Sequence, residues 1–70
     1  MKEQRRNRIQ ALRTERELTQ SELAAMCGVS RATIASFESQ INDLDKAAVY
    51  IVKGLAKHLK VKEKELWEKK

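Results

Sequence analysis

A single glycine inside a helix-forming stretch is the feature that most constrains this chain. In the segment TQSELAAMCGVSRATIASFE, Gly28 lies between two helix-start signals. Thr19 precedes Glu22 with the spacing of a capping box, and Ser30 is a favourable N-cap for the run after the glycine. Glycine adopts a positive φ without steric penalty, so we expect Gly28 to end one helix and turn the chain into the next. The pattern predicts two short helices that meet at a steep angle over about residues 19–39.

Helical patterns also occupy the rest of the chain. Ile9 and Leu12 give an apolar face to a first helix over about residues 3–15. A fourth helix is predicted from Leu44 to about Lys60, where apolar residues recur with a period near 3.6. The segment KEKELWEKK predicts a short fifth helix. Because a chain of 70 residues buries one small core, we expect a single all-α domain, a compact five-helix bundle that contains a helix-turn-helix.

Composition and spacing exclude several classes of protein. No apolar run approaches the ~20 residues that span a bilayer, and no signal peptide is recognisable, so we expect a cytoplasmic protein without a membrane partner. Membrane-surface binding by the lysine-rich fourth helix is a distant alternative, since the core needs its apolar face. Cys27 and His58 have no metal-ligand spacing, and Cys27 is expected to be an inert buried thiol. No nucleophile–base constellation occurs, so we expect no enzyme, cofactor or small-molecule ligand.

The net charge of the chain indicates a negatively charged partner but does not identify it. The formal net charge is +5 and the sequence pI is about 9.7. Nucleic acid, an anionic membrane and an acidic protein all attract such a chain, and a solvated lysine-rich surface explains the charge equally well.

The stretch IQALRTERELTQSELAAMCGVSRATIASFE, from Ile9 to Glu38, resembles the Cro/repressor, or XRE-type, helix-turn-helix domain. LAKHLKVKEKELW resembles the end of that family's fourth helix and its fifth helix. The resemblance implies a lambda-repressor-like fold that binds double-stranded DNA, usually as a two-fold dimer on a palindromic operator, to regulate transcription. It also implies that the third helix lies in the major groove while the second crosses the DNA backbone.

The resemblance assigns roles to individual positions. Gln20 matches a glutamine that contacts phosphate and braces the recognition helix. Arg13 and Glu38 match an arginine and an acidic residue that pair between helices one and three. Gln40 and Lys60 depart from the family at positions where glycine is common. Two further departures are Leu44, at a common proline position, and Lys62, in place of a capping serine.

The third helix also presents a small outward face. If Ile34 and Phe37 face the core, Ala32, Ala35, Ser36 and Ser39 point away from it. Arg31 lies near the helix start, where it can reach guanine O6 and N7; a phosphate contact or free solvation are the alternatives. Thr33 can instead bond to its own helix, and Asn42 can simply cap a turn. We expect base contacts from Arg31, Ala32, Thr33 and Ser36, and DNA-backbone contacts from Thr19, Gln20, Ser30, Ser39 and Asn42.

Three apolar residues, Ile41, Tyr50 and Trp67, are left over by these patterns and predict a symmetric dimer interface. For Trp67 the alternative is a core position that closes helix five onto helix one. The favoured function is a sequence-specific dimeric repressor, because the chain leaves little room for an activation or ligand domain. The alternative is a protein-interaction module of the same fold, antitoxin-like or a co-regulator, with weak DNA binding. The operator, the regulated genes and any inducing signal are not readable from the sequence.

Overall fold

Four α-helices and two single turns of 3₁₀ helix follow one another in the computed structural model, which describes residues 5–68. The helices are α1 (Ile9–Glu15), α2 (Gln20–Cys27), α3 (Arg31–Glu38) and α4 (Val49–Leu59), and the 3₁₀ turns are Leu44–Lys46 and Glu63–Leu66. The all-α prediction is confirmed, whereas the predicted count of five helices is not. None of the helices in the described part of the chain is long and apolar enough to cross a bilayer.

One apolar cluster holds these elements together. α2 packs against both α3 and α4, α1 packs against α3 and α4, and the second 3₁₀ turn closes against α4. Each helix contributes its inward stripe, as expected for amphipathic helices around a shared core. The buried apolar residues are Ile9, Leu12, Leu23, Ala24, Ile34, Phe37, Leu44, Leu55, Ala56, Leu59, Leu66 and Trp67.

The starts of α2 and α3 follow the predicted caps. Glu22 N donates to Thr19 Oγ1 at 3.0 Å and Thr19 N donates to Glu22 Oε1 at 2.8 Å, which is a complete capping box. Ser30 Oγ accepts from Thr33 N at 3.1 Å. Both helix starts are therefore determined by side chains within four residues of the boundary.

All four α-helices end in the same backbone motif. A residue with left-handed backbone conformation follows the helix, and the N–H of the next residue donates to a carbonyl in the last turn. The left-handed residues have positive φ: Glu17 (55°), Gly28 (72°), Gln40 (66°) and Lys60 (60°). The next residue's N–H donates to a carbonyl five positions earlier in every case: Leu18 to Arg13 (3.1 Å), Val29 to Ala24, Ile41 to Ser36 and Val61 to Ala56 (3.0 Å each). This is the Schellman pattern, which glycine usually occupies. Here only one of the four positions is a glycine.

The first helix begins later than predicted. Residues 5–8 are not helical, because this segment pairs with the C-terminal segment through an antiparallel bridge between Asn7 and Trp67. Arg8 N donates to Leu66 O at 2.7 Å, and Glu68 N donates to Arg6 O at 2.9 Å. Residues 3 and 4 of the predicted helix lie outside the described residues.

The predicted fourth helix is also shorter than expected. Leu44–Lys46 forms a separate 3₁₀ turn capped by Asp43, whose Oδ1 accepts from Asp45 N at 2.9 Å. The chain is extended at Ala47 and Ala48 before α4 begins. Leu44 still reaches the core with no exposed surface, so the turn preserves the apolar spacing while breaking the helix.

The predicted fifth helix is a single 3₁₀ turn, Glu63–Leu66, and Trp67 after it is extended with φ −116° and ψ 154°. The extended conformation follows from pairing with Asn7, which requires strand-like backbone at both residues. Residues 69 and 70 of the predicted helix lie outside the described residues.

Candidate nucleic-acid interface

Beyond Arg31 at its start, the outward face of α3 carries small side chains. Ile34 and Phe37 are buried at 0% and 4% exposure. On the opposite side Ala32 is exposed and Ser36 is half-buried. Such a face lets the helix backbone approach the floor of a groove about 12 Å wide without a steric obstacle.

The start of α3 offers hydrogen-bond donors to an anion. Ser30 caps the helix, and its Oγ lies 2.9 Å from Thr33 Oγ1, so the two hydroxyls pair. Thr33 therefore bonds locally, as one of the sequence alternatives proposed. The first backbone N–H groups of the helix have no intrahelical acceptor, and they are suited to a phosphate oxygen.

Arg13 and Glu38 form a nearly buried ion pair between α1 and α3. Arg13 Nε donates to Glu38 Oε2 at 2.6 Å and Nη2 donates to Oε1 at 3.1 Å. Their side chains are 12% and 5% exposed. Arg13 Nη1 also donates to Leu18 O at 2.7 Å, which ties in the turn between α1 and α2. The hydrogen bond with Glu38 raises the pKa of Arg13, so the guanidinium stays charged.

Gln20 extends this ion pair to the predicted reading residue. Its Nε2 donates to Glu38 Oε1 at 2.9 Å, and its Oε1 accepts from Arg31 Nη1 at 3.3 Å. A carboxylate only accepts hydrogen bonds, so the amide nitrogen must face Glu38 and the amide oxygen must face Arg31. We name the chain Arg13–Glu38–Gln20–Arg31 the bracing network. It connects α1, α2 and α3 and ends on an exposed arginine.

The predicted backbone-contact residues fall at the two ends of α3. Gln20 and Ser30 lie at the starts of α2 and α3, which the Gln20–Arg31 bond brings together. Thr19 is exposed, but its hydroxyl is already engaged in the capping box. Ser39 and Asn42 are exposed just beyond the other end of α3, where Ser39 Oγ donates to Ser36 O at 3.1 Å.

The leftover apolar residues do not share one environment. Ile41 is 77% exposed and Tyr50 is 67% exposed, and Val49 beside Tyr50 is 67% exposed as well. Trp67 instead lies in the core at 9% exposure, with the Arg5 guanidinium carbon 4.2 Å from its ring centroid. Trp67 is therefore a core residue, which was the alternative considered for it.

Sequence reasoning missed two contributions. Val49 was assigned to the interior of a longer helix, whereas it is the exposed first residue of α4. Arg5, one of several basic residues near the N-terminus, forms a bidentate ion pair with Asp45. Neither has a local sequence signal, because both depend on where the α3–α4 loop folds.

The described residues contain no group of three His, Cys, Asp or Glu side chains that could hold a metal ion. Cys27 is half-buried, and burial raises the pKa of its thiol.

The fold and this surface define a helix-turn-helix DNA-binding protein. The helix-turn-helix family model matches residues 9–66, and the chain belongs to that family, in its XRE-type branch. No curated protein sequence matches the chain.

Solved structures of regulators share this fold. The chain is similar to the restriction-modification controller protein C.AhdI from Aeromonas hydrophila, with 27% identity, a TM-score of 0.74 and coverage of 84% of this chain and 85% of that one. It is similar to the N-terminal DNA-binding domain of SinR from Bacillus subtilis, with 25% identity, a TM-score of 0.77 and coverage of 90% and 88%. SinR, a master regulator for biofilm formation, also matches in complex with DNA, with 25% identity, a TM-score of 0.75 and coverage of 84% and 90%. The chain is a DNA-binding transcription regulator and not an enzyme.

Proposed function

We propose that this protein is a sequence-specific repressor that binds a palindromic operator as a dimer, with α3 of each subunit in the major groove. Residues 1–70 act together as one DNA-binding domain in this proposal. The observation that carries it is the bracing network, which holds Arg31 at the start of a recognition helix with a small outward face.

Base readout is assigned to Arg31, Ala32, Thr33 and Ser36. Arg31 uses Nη1 for Gln20, which leaves Nε and Nη2 without a partner among the described residues. Two parallel donors match guanine O6 and N7, and such a bidentate contact contributes about 1–3 kcal/mol of discrimination. Ala32 is suited to a thymine methyl group.

Backbone contacts are assigned to Thr19, Gln20 and Ser30 on one side of the reading face and to Ser39 and Asn42 on the other. Phosphates beside a major-groove helix lie on both flanking strands, so contacts at both ends of α3 fix its depth and register. The likeness to a SinR structure in complex with DNA supports double-stranded DNA as the partner.

Dimerisation is assigned to Ile41, Tyr50 and Val49. In the other three Schellman motifs the residue after the left-handed position packs against the core, but Ile41 is 77% exposed. An apolar side chain at this position that does not pack inward is suited to a partner surface. Trp67 has too little exposed surface to anchor a partner, so we leave it out of the proposed interface.

Charge restricts where the two-fold axis can lie. Lys53, Lys57 and Lys60 are exposed on the side of α4 that faces away from Leu55 and Leu59. Two copies that crossed at the middle of α4 would oppose these lysines. An axis near Tyr50 and Ile41 avoids this repulsion and brings the apolar residues together. Half-sites would then lie about one helical turn, ~34 Å, apart.

Selection of bound duplexes from a random DNA pool at near-physiological salt, followed by sequencing, tests the proposal. We expect a palindrome, and repression of a reporter that carries it across a promoter. Failure to enrich any motif with folded protein would contradict the proposal. In that case the exposed Ile41, Val49 and Tyr50 favour the second candidate, a protein-interaction module, and capture of a defined protein partner would support it.

A further inference from the structure

Gln40, directly after the recognition helix, has a backbone conformation that its residue type disfavours. Its φ is +66°, in the left-handed region where a Cβ is crowded. Glycine would occupy this position without that strain. Residues in such conformations persist where surrounding contacts hold them, so the contacts of the Gln40 side chain identify what the conformation serves.

The Gln40 carboxamide pairs with the backbone of Asn7 as a neighbouring β-strand would. Asn7 faces Trp67 in the type of antiparallel pair whose hydrogen bonds come from the flanking residues, so the N–H and C=O of Asn7 itself point to the other side. Gln40 receives both of them: Asn7 N donates to Gln40 Oε1 at 3.1 Å, and Gln40 Nε2 donates to Asn7 O at 3.4 Å. The backbone of Asn7 is thus enclosed between the C-terminal segment and one glutamine side chain.

The same contacts hold the end of α3. Asn7, 5% exposed, donates from Nδ2 to Phe37 O at 2.8 Å, and Gln40 Nε2 donates to Glu38 O at 3.3 Å. The last carbonyl groups of a helix otherwise lack intrahelical donors. The N-terminal segment and Gln40 together therefore anchor the point where the chain leaves the recognition helix.

The residues next to Gln40 are those assigned to the DNA backbone. Ser36 O accepts from Ile41 N at 3.0 Å, from Asn42 N at 3.2 Å and from Ser39 Oγ at 3.1 Å, so the loop of residues 39–42 folds back on α3. Rotation about the Gln40 backbone would break the bonds of Ile41 and Asn42 to Ser36 O and move Asn42 relative to α3. We propose that Gln40 is a positioning residue for DNA binding: its carboxamide, held by Asn7, fixes the 39–42 loop so that Ser39 and Asn42 meet a phosphate.

This inference rests on the proposed function, because it takes residues 39–42 to face DNA. A positioning role for Gln40 differs from a purely structural role in one measurable respect. A residue that only stabilises the fold can be replaced by glycine at a left-handed position without harm to DNA binding, whereas a positioning residue cannot.

Gln40→Gly is the test, measured on the operator selected with the wild-type chain at several salt concentrations. The backbone conformation remains accessible, but the bonds to Asn7 are lost. We expect affinity to fall about tenfold, and a neutral methylphosphonate at one phosphate per half-site to weaken the wild type but not the variant. The log–log salt slope should stay that of the wild type, because Ser39 and Asn42 are neutral and displace no counterions. Lys60→Gly is the backbone control, because it also places a glycine at a left-handed position, φ +60° after α4. Its affinity and salt slope should match the wild type.

The outcomes distinguish failure of the proposed function from failure of the positioning role. If the wild type enriches no operator, the proposed function fails before Gln40 is examined. If the wild type binds but Gln40→Gly binds with the same affinity, or is weakened by the methylphosphonate as much as the wild type is, the positioning role is overturned. Should Gln40→Gly not fold, Gln40→Asn replaces it, because asparagine tolerates a left-handed φ and is one methylene too short to reach both Asn7 groups.

Discussion

Glu38 accepts two hydrogen bonds from Arg13 and one from Gln20 with its side chain only 5% exposed, so one carboxylate joins the ends of three helices. Its position at the end of α3 makes it both a packing element and the link between Arg13 and Gln20 in the bracing network. The stability of the fold and the placement of Arg31 therefore depend on the same group.

Replacing Glu38 with Gln should lower the free energy of unfolding by about 3 kcal/mol. The neutral amide leaves the nearly buried Arg13 guanidinium without a counter-charge, and removal of one partner of a buried ion pair has this magnitude. Urea unfolding measures the change. Glu15→Gln is the control, because Glu15 is 61% exposed in its pair with Arg16 and should change stability by less than about 0.5 kcal/mol. Equal effects of the two substitutions would contradict a structural role for the buried pair.

Arg31→Ala should weaken binding to the selected operator roughly 5–150-fold for each half-site, the equivalent of about 1–3 kcal/mol per subunit. The loss should fall on one base pair in each half-site, since Arg31 is assigned to a guanine. Repeating the selection with the variant checks this. Uniform weakening across all sequences, with the salt slope reduced by about 1 for each subunit, would instead make Arg31 a phosphate contact. Lys57→Ala, at an exposed position of α4, serves as a control for the loss of one positive charge.

Ile41→Gln should shift the protein from dimer to monomer without loss of stability. Ile41 is 77% exposed, so its substitution removes little packing within one subunit. Sedimentation at tens of micromolar compares the variant with the wild type, which we expect to be dimeric. Met26→Gln, which changes another exposed apolar residue on α2, should leave the oligomeric state unchanged. A monomeric wild type at this concentration would remove the proposed interface.

Glu17→Gly should stabilise the fold by about 0.5–1 kcal/mol, and so should Lys60→Gly. Both residues have positive φ, where glycine relieves a strain that exceeds the entropy it adds to the unfolded chain. Gly28→Ala should instead destabilise the fold, by about 1 kcal/mol. No atom lies within 4 Å of an added Cβ there, so the cost comes from φ alone. Thermal unfolding of the three variants measures the changes. If Glu17→Gly destabilised the fold, the Glu17 side chain would contribute more stability than the relief of its backbone strain provides.

Cys27 should react slowly with iodoacetamide at pH 8 in the folded protein and faster in urea. Burial raises the pKa of its thiol above the ordinary value of 9.0, so the reactive thiolate is scarcer in the fold. The sign for stability follows: the contribution of the neutral thiol is complete below pH 9 and is lost as the pH rises through the folded pKa. Cys27→Ala should lack this alkaline loss, and equal alkylation rates in the two states would contradict the burial.

The sequence determined the helix-turn-helix on its own. Thr19, Glu22, Gly28 and Ser30 form bonds or adopt angles within a few residues of themselves, so local chemistry is sufficient to place both helix boundaries. The apolar spacing of α3 likewise predicted Ile34 and Phe37 as core residues, because helical geometry alone decides which side chains share a face.

Only the tertiary structure decided how the chain ends and the α3–α4 loop are arranged. Asn7 and Trp67 are 60 positions apart, and residues 5–8 are not helical because that pairing replaces a helix whose local pattern was favourable. The same long-range bonds hold Gln40 in a conformation its residue type disfavours and leave Ile41 facing solvent. Local propensity differs by less than about 1 kcal/mol between most residues, so a few bonds between distant segments are enough to override it.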